Sequence, residues 1–239
     1  IMPSARGAPI PVEGFAWRPN LDIVREVASG GYDVLWVHGY MHATTWLAAA
    51  AARARGMTVL LRDEQTLIHR RPRHRAALKE APLRALFGLC SGLYIGEQNR
   101  LYLRRYGMPD RRLFFVPYCV DNAFFQREAI RLRPQRDEIR RSFGVTDGAP
   151  VVLFVGKLVE KKQPLRLIQA FALVRRAQPS WLLFAGDGPL RERAEALVGR
   201  EGVPGARFLG FMNQSELPRA YVAAVVFVLP SSHHETWGL

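Results

Sequence analysis

The sequence has few cysteines and no long hydrophobic run. Cys90 and Cys119 are the 2 cysteines of the 239-residue chain, and they lie in separate segments without metal-ligand or redox spacing. This pattern argues against a disulfide framework and favours a reducing compartment with free thiols. No apolar run approaches the roughly 18–20 residues of a membrane-spanning helix. We therefore expect a cytoplasmic protein, either soluble or held peripherally at the inner face of the plasma membrane.

Two phosphate-binding fingerprints are also absent. The glycine-containing loop that follows residue 155 does not end in Gly-Lys-Ser/Thr, so it is not a Walker loop. Gly186 and Gly188 lack the third glycine of a GxGxxG motif, and no ribose-binding acid follows at the right spacing. By themselves these two glycines predict a turn before a helix. A dinucleotide-dependent oxidoreductase is therefore kept only as an alternative.

Acidic residues are scarce relative to basic ones. The 34 Lys and Arg residues against 21 Asp and Glu residues give a formal charge of +13, spread evenly and almost all arginine. An anionic membrane surface, a nucleic acid or a phosphate-bearing substrate would each suit this charge, and so would a codon bias toward arginine. No basic-aromatic motif supports nucleic-acid binding, so we predict no nucleic-acid partner and keep that function as an alternative.

Two segments that contain histidine are further candidate sites. The densest basic run, residues 69–75, could contact lipid headgroups or an anionic acceptor, or be a solvated surface loop, as charge runs usually are. His233 and His234 have no partner acid or cysteine at ligand spacing. We therefore predict no metal site.

Short apolar runs alternate with helical patterns in both halves of the chain. With 49% apolar and 10% aromatic residues, the composition is that of a globular protein with one large or two ordinary domains. The alternation predicts an α/β fold of βαβ units with parallel sheets. The predicted strands are residues 33–37, 57–61, 92–96 and 113–117, then 151–155, 181–185, 207–210 and 225–229. Residues 33–37 and 225–229 are predicted to be buried.

The predicted domain boundary lies in residues 122–150, where charged residues dominate and apolar residues thin out. One helix is predicted there, near residues 136–143. The resulting domains are residues 1–125 and 126–239. Because the chain begins with isoleucine and ends within a motif, we expect both domains to be incomplete.

Four sets of residues follow predicted strands, where an open parallel sheet binds its ligands. The loop 156–162 is the best phosphate candidate, because glycine lets the backbone approach an anion and lysines and a helix N-terminus accompany it. The other sets are His38, the acid Glu235, and Arg62 with Asp63 and Glu64. Each set also has a structural interpretation. The lysines and the Glu235 carboxylate could simply be solvated, His38 could be a structural histidine, and the segment 62–64 could be a local ion cluster.

Taken together, these segments resemble the GT-B glycosyltransferases of the large retaining family 4. The similarity in order and spacing runs through residues 151–239, and residues 116–121 look like the family's segment before the domain linker. The similar segments are 155–158, 161–162, 167–171, 184–190, 207–211, 217–221 and 230–239.

The resemblance implies a donor site in the second domain. Gly156, Lys157 and Lys162 would hold the diphosphate of a nucleotide sugar without a metal ion, and Gly238 and Leu239 would offer backbone N–H groups to it. The nucleotide sugar is then a substrate, and no cofactor is expected.

The resemblance also implies roles for the remaining candidates. Glu235 matches the first acid of the family's Glu-x7-Glu motif, which forms hydrogen bonds in the donor sugar and ribose region. His38 is the second catalytic candidate, on the acceptor side. The other implied positions are Phe211 and Met212 beside the nucleotide base, and Arg62, Asp63 and Glu64 along the acceptor.

The implied fold is GT-B, with two Rossmann-like domains whose parallel sheets face a central cleft. The implied reaction is retaining sugar transfer to a hydroxyl acceptor, a glycan or glycolipid, in surface polysaccharide or glycolipid synthesis. The sequence departs from the family where Lys157 replaces arginine and Gln163 replaces a common glycine. The second motif acid and the glycine-rich first loop are absent, so an inactive or binding-only truncated homologue is the main alternative.

Overall fold

The computed structural model describes residues 19–68, 73–232 and 235, with residues 73–77 described by their backbone alone. These residues form two compact units that divide between Cys119 and Val120. The predicted division after residue 125 falls inside the first helix of the second unit. None of the helices in the described ranges combines the length and the apolar character that a bilayer span requires.

The first unit is a parallel sheet of four strands in the order β1-β2-β3-β4. Its strands are β1 (Val34–His38), β2 (Thr58–Arg62), β3 (Ser91–Tyr94) and β4 (Leu113–Phe115). Its helices are α1 (Asp22–Ser29), α2 (Ala43–Ala54), α3 (Arg73–Leu89) and α4 (Glu97–Arg105). Val59 and Leu61 of β2 pack with Phe87 and Leu103 of the helices in one apolar core.

The second unit repeats this arrangement, with four parallel strands in the order β7-β6-β5-β8. Its strands are β5 (Val151–Val155), β6 (Trp181–Ala185), β7 (Ala206–Gly210) and β8 (Val226–Phe227). Its helices are α5 (Asn122–Leu132), α6 (Arg136–Ser142), α7 (Pro164–Ala177), α8 (Arg191–Arg200) and α9 (Leu217–Ala223). The predicted α/β class with two parallel sheets is therefore confirmed.

The core of the second unit lies on both faces of β6, which is buried along its whole length. Phe184 stacks on Phe208 of β7 with ring centroids 4.8 Å apart, and it also contacts Phe154 of β5. Ile168 and Phe171 of α7 are buried in the same cluster. Each such side chain contributes about 1.5–3 kcal/mol by leaving water, and together they hold α7 and its preceding loop against the sheet.

Two strands predicted to be buried are exposed edge strands in the described sheets. In β1, Val34 and Trp36 are each 51% exposed, because β1 pairs only with β2 among the described strands. In β8, Val226 and Phe227 are similarly exposed, since β5 is the one described strand with which β8 pairs. Hydrophobicity predicted these strands, but sheet order set their exposure.

The segment 122–150 contains more helix than predicted. The predicted helix near 136–143 is α6, but α5 precedes it and was missed because its charged residues hide a short apolar face. Asp121 caps α5 by accepting a hydrogen bond from the Phe124 N–H at 2.8 Å. Pro189 lies in the turn before α8.

Candidate functional site

The loops that follow β5 and β6 pack backbone against backbone. Gly186 has φ +149°, and a Cβ there would lie 2.1 Å from the Gly156 carbonyl oxygen. A Cβ on Gly188, with φ +156°, would lie 2.6 Å from the carbonyl oxygen of Leu158. The Leu158 N–H also donates to the Asp187 carbonyl at 2.9 Å. A turn that begins at Gly188 does precede α8, as predicted, but the two glycines also position the lysine-containing loop, a role that their spacing does not reveal.

The loop after β5 places its predicted lysines in different environments. Lys162 is 6% exposed, and its side chain lies over Gly156: a Cβ built on that glycine would be 3.0 Å from the lysine Cδ and 3.3 Å from Nζ. Lys157 is exposed at the start of the loop. Gly156 therefore provides the space for a buried ammonium group, whereas Lys157 extends into solvent.

Gln163 connects this loop to α7 in a left-handed conformation, with φ 51° and ψ 44°. It is the one non-glycine residue with positive φ in the described ranges. This is the position at which the resemblance expects glycine, and the conformation explains that preference, because only glycine adopts it without strain.

The acid Glu235 lies between two lysines of the same loop. Its Oε1 atom is 3.4 Å from Nζ of Lys161, and its Oε2 atom is 3.7 Å from Nζ of Lys162. The Glu235 side chain is 11% exposed. The Ser232 N–H donates to the Lys161 carbonyl at 2.8 Å, which ties the two segments together through the backbone. The structure thus brings Glu235 and Lys162 together and adds Lys161, which the sequence analysis did not select.

The loop after β7 lies beside the loop after β6, because the Gly186 N–H donates to the Gly210 carbonyl at 2.7 Å. Phe211 follows directly and is 79% exposed. Met212 is partly buried against an apolar cluster of the second unit. Both residues therefore lie at the same edge of the sheet as the lysine-containing loop. Gly238 and Leu239, also predicted for the donor site, lie outside the described residues.

The candidates of the first unit meet at the carboxyl ends of β1 and β2. His38 pairs in register with Arg62, and the Gly39 N–H donates to the Arg62 carbonyl at 2.7 Å. The His38 ring is exposed and stacks on Trp36 with centroids 5.4 Å apart. A stacked, exposed imidazole can donate to or accept from a hydroxyl group.

Arg62 and Glu64 are joined through Tyr118. The Arg62 guanidinium lies 4.2 Å from the Tyr118 ring centroid and donates to the Val116 carbonyl at 3.2 Å. The Tyr118 hydroxyl donates to a Glu64 carboxylate oxygen. These contacts form the local cluster that the sequence analysis offered as an alternative, and they leave the acceptor role of these residues a prediction.

Asp63 differs from its neighbours because it is buried, with 6% of its surface exposed. Burial raises the pKa of its carboxyl group to about 7, although hydrogen bonds from the backbone N–H groups of Gln65 and Glu64 act in the opposite direction. Asn99, also buried, accepts from the Ile95 N–H at 3.2 Å and donates to the Gln65 carbonyl at 2.9 Å. No sequence pattern signals this burial, which results from packing.

Two further parts of the structure bear on the predicted sites. The described residues contain no group of three or more His, Cys, Asp or Glu side chains arranged to hold a metal ion. The basic run 69–75 and the pair His233 and His234 lie outside the residues whose side chains are described. A cavity of about 470 Å³, lined by Arg133, Arg136 and Val225 among others, lies at the opposite edge of the second sheet, before β8 begins.

Comparison with known proteins shows which family the second unit resembles. The sequence profile of the family described as glycosyl transferases group 1 matches residues 135–239. The α-D-kanosaminyltransferase of Streptomyces kanamyceticus is 31% identical over 146 residues, which are 60% of this chain and 37% of that protein. The 2-deoxystreptamine glucosyltransferase of the same organism is 33% identical over 135 residues, 55% of this chain and 34% of that protein.

A solved structure extends the similarity to most of the chain. Anabaena Alr3699/HepE, in complex with UDP and glucose, matches with a TM-score of 0.60 and 17% identity, over 88% of this chain and 55% of that chain. At this identity the match shows the fold alone. Residues 135–239 of this chain are therefore similar to the glycosyl transferases group 1 family, and the chain has the α/β fold of the GT-B glycosyltransferases.

Proposed function

We propose that this chain is part of a retaining glycosyltransferase that moves a sugar from a nucleoside-diphosphate sugar to a hydroxyl group. The observation that carries the proposal is the buried ammonium group of Lys162, held over Gly156 at the carboxyl edge of the sheet. It lies within the residues that match the family. The relatives named above transfer sugars, and the structure from Anabaena holds UDP and glucose.

The charges of this edge suit a diphosphate leaving group. Lys157 and Lys162 contribute two positive charges, and the charge of Lys161 offsets that of Glu235. The first turn of α7, with its unpaired backbone N–H groups, follows within the same segment. We propose that these fixed charges stabilise the departing diphosphate by electrostatic preorganisation, without a metal ion.

We also propose roles for the remaining donor-site candidates. Phe211 is exposed beside the loop after β6, and we propose that it and Met212 contact the nucleotide base. We assign to Glu235 a hydrogen bond to the donor sugar or ribose, and to Gly238 and Leu239 backbone contacts with the donor. These assignments rest on the resemblance and on the edge of the sheet that the described residues share.

The acceptor is a hydroxyl group of a glycan or glycolipid in this proposal. His38 would contact it, together with the neighbouring cluster of Arg62, Asp63 and Glu64. Synthesis of surface polysaccharide or glycolipid at the cytoplasmic face of a membrane is the proposed setting. The net charge of +13 supports contact with anionic lipid.

The test is nucleotide binding by the chain as it stands. In a calorimetric titration, the wild-type chain should bind UDP. Lys162→Met should weaken this binding at least about tenfold, because removing a buried charge from a phosphate contact costs more than about 1.4 kcal/mol. Arg176→Met, which removes an exposed charge at the far end of α7, is the matched control. Equal affinity of the Lys162 variant and the wild type would refute the proposal. UDP binding without sugar transfer from UDP-glucose would identify the binding-only alternative.

A further inference from the structure

We propose that Lys161 is a positioning residue that holds the Glu235 carboxylate and thereby limits its competition with the donor diphosphate for Lys162. This inference rests on the proposed function and concerns the state of the site before the donor binds. In that state Glu235 is an internal anion at the lysine pair, and the incoming diphosphate competes with it for Lys162. Lys161 sets the outcome by retaining Glu235.

The distances place Glu235 closer to Lys161 than to Lys162. The Lys161 ammonium donates a hydrogen bond to Oε1 at 3.4 Å, whereas Oε2 is 3.7 Å from Lys162 and has no hydrogen-bond partner in the described part of the chain. The carboxylate is nearly buried, so both contacts act in a medium that screens charge less than water does. One carboxylate is therefore shared between two cations, with its hydrogen bond on the Lys161 side.

Lys161 and Lys162 also differ in how freely their side chains can move. Lys162 is buried over Gly156, where its ammonium group is fixed in place. Lys161 has a side chain that is 47% exposed and can follow the carboxylate if it moves. When a diphosphate neutralises Lys162, Glu235 thus keeps a partner and is not left as an unpaired, nearly buried charge.

Backbone hydrogen bonds connect the segment that contains Lys161 with the segment that contains Glu235. The Ser232 N–H bonds to the carbonyl of Lys161, and the Glu235 N–H bonds to the Ser232 carbonyl at 3.0 Å. Neither bond involves the Lys161 side chain. Lys161→Met therefore removes the charge while the connection between the two segments remains, which makes the substitution a specific test of the ammonium group.

The experiment is a double-mutant cycle on UDP affinity, measured by calorimetry with the full chain. Lys161→Met should weaken UDP binding about fivefold, the size of a partly exposed ion pair, because Glu235 then pairs with Lys162 alone. Glu235→Gln should strengthen UDP binding, because the competing anion is gone while the glutamine carbonyl can still accept a hydrogen bond from the ribose. In the Lys161→Met/Glu235→Gln double variant the Lys161 effect should vanish, and Lys161→Arg should restore wild-type affinity.

One control variant and three contrary outcomes complete this experiment. Glu160→Gln makes the same charge change as Glu235→Gln one residue before Lys161, but Glu160 is exposed and pairs with Arg193, so UDP affinity should change less than about twofold. If Lys161→Met weakens binding equally with Glu235 or Gln at 235, Lys161 contacts the phosphate directly and the inference is wrong. If Glu235→Gln leaves affinity unchanged or lowers it, competition is refuted while the proposed function stands. Failure of the wild type to bind UDP would refute both.

Discussion

The buried carboxyl group of Asp63 makes the stability of the first unit depend on pH. Its pKa of about 7 is above the ordinary value of 3.8 because burial disfavours the charged form. Between these two values the folded protein keeps a proton that the unfolded chain releases, so the stability falls as pH rises from about 4 to 7. The difference of about 3 pH units, at about 1.36 kcal/mol each, corresponds to about 4 kcal/mol.

The perturbation is Asp63→Asn, which keeps the size of the side chain and an acceptor for the Gln65 N–H. The amide does not titrate. The stability of the variant relative to that of the wild type should therefore be about 3 kcal/mol higher at pH 8 than at about pH 4.5. Any cost of the amide that does not depend on pH is the same at both ends of this range, so it cancels when the stability differences at the two pH values are compared. The other titrating groups are common to both proteins and cancel as well.

Urea unfolding at a series of pH values measures this difference. Trp46, whose indole N–H donates to the Tyr40 carbonyl at 2.9 Å, reports on the first unit by fluorescence. Asp33→Asn, the same substitution at an exposed acid of the same unit, is the control and should not reproduce the gain expected for Asp63→Asn. A stability difference between Asp63→Asn and wild type that is constant from about pH 4.5 to 8 would refute the reasoning.

Three further substitutions test the packing around the two sites by urea unfolding. Gln163→Gly should stabilise the second unit by about 0.5–1 kcal/mol, because relief of left-handed strain exceeds the entropy that glycine adds to the unfolded chain; a loss of stability would contradict this. Gly186→Ala should cost more than about 2 kcal/mol and weaken UDP binding, since its Cβ would collide with the Gly156 carbonyl; unchanged stability would be inconsistent with the loop geometry. Asn99→Ala should cost about 2–3 kcal/mol by leaving two backbone groups unpaired, and Asn122→Ala, the same change at an exposed asparagine, is its comparison.

Most of the fold was predicted from patterns of residues that are close together in the sequence. Strands 151–155 and 181–185 were predicted at their observed bounds, because β-branched and aromatic runs of this length between helical patterns are specific for parallel strands. The helix α5 was missed for the opposite reason, since a helix whose apolar face is short has little periodicity to detect.

The candidate site was predictable in its loops but not in its contacts. Position after a strand is a property of the sequence, and it selected Lys162, Glu235 and His38. Lys161 was passed over because its partner Glu235 is far along the chain, and only the fold brings them within 3.4 Å. Gly186 and Gly188 were interpreted as a turn, whereas their close contact with the preceding loop appears only once β5 and β6 are paired.

The sequence by itself therefore determined the class of fold, the alternation of strands and helices, and the loops that bear charge, because these depend on residues near one another in the chain. The tertiary structure alone decided which strands are exposed, that Asp63 is buried, and that one carboxylate lies between two lysines. Exposure and pairing depend on neighbours from distant segments, and the pKa of a buried group depends on all the atoms that exclude water from it.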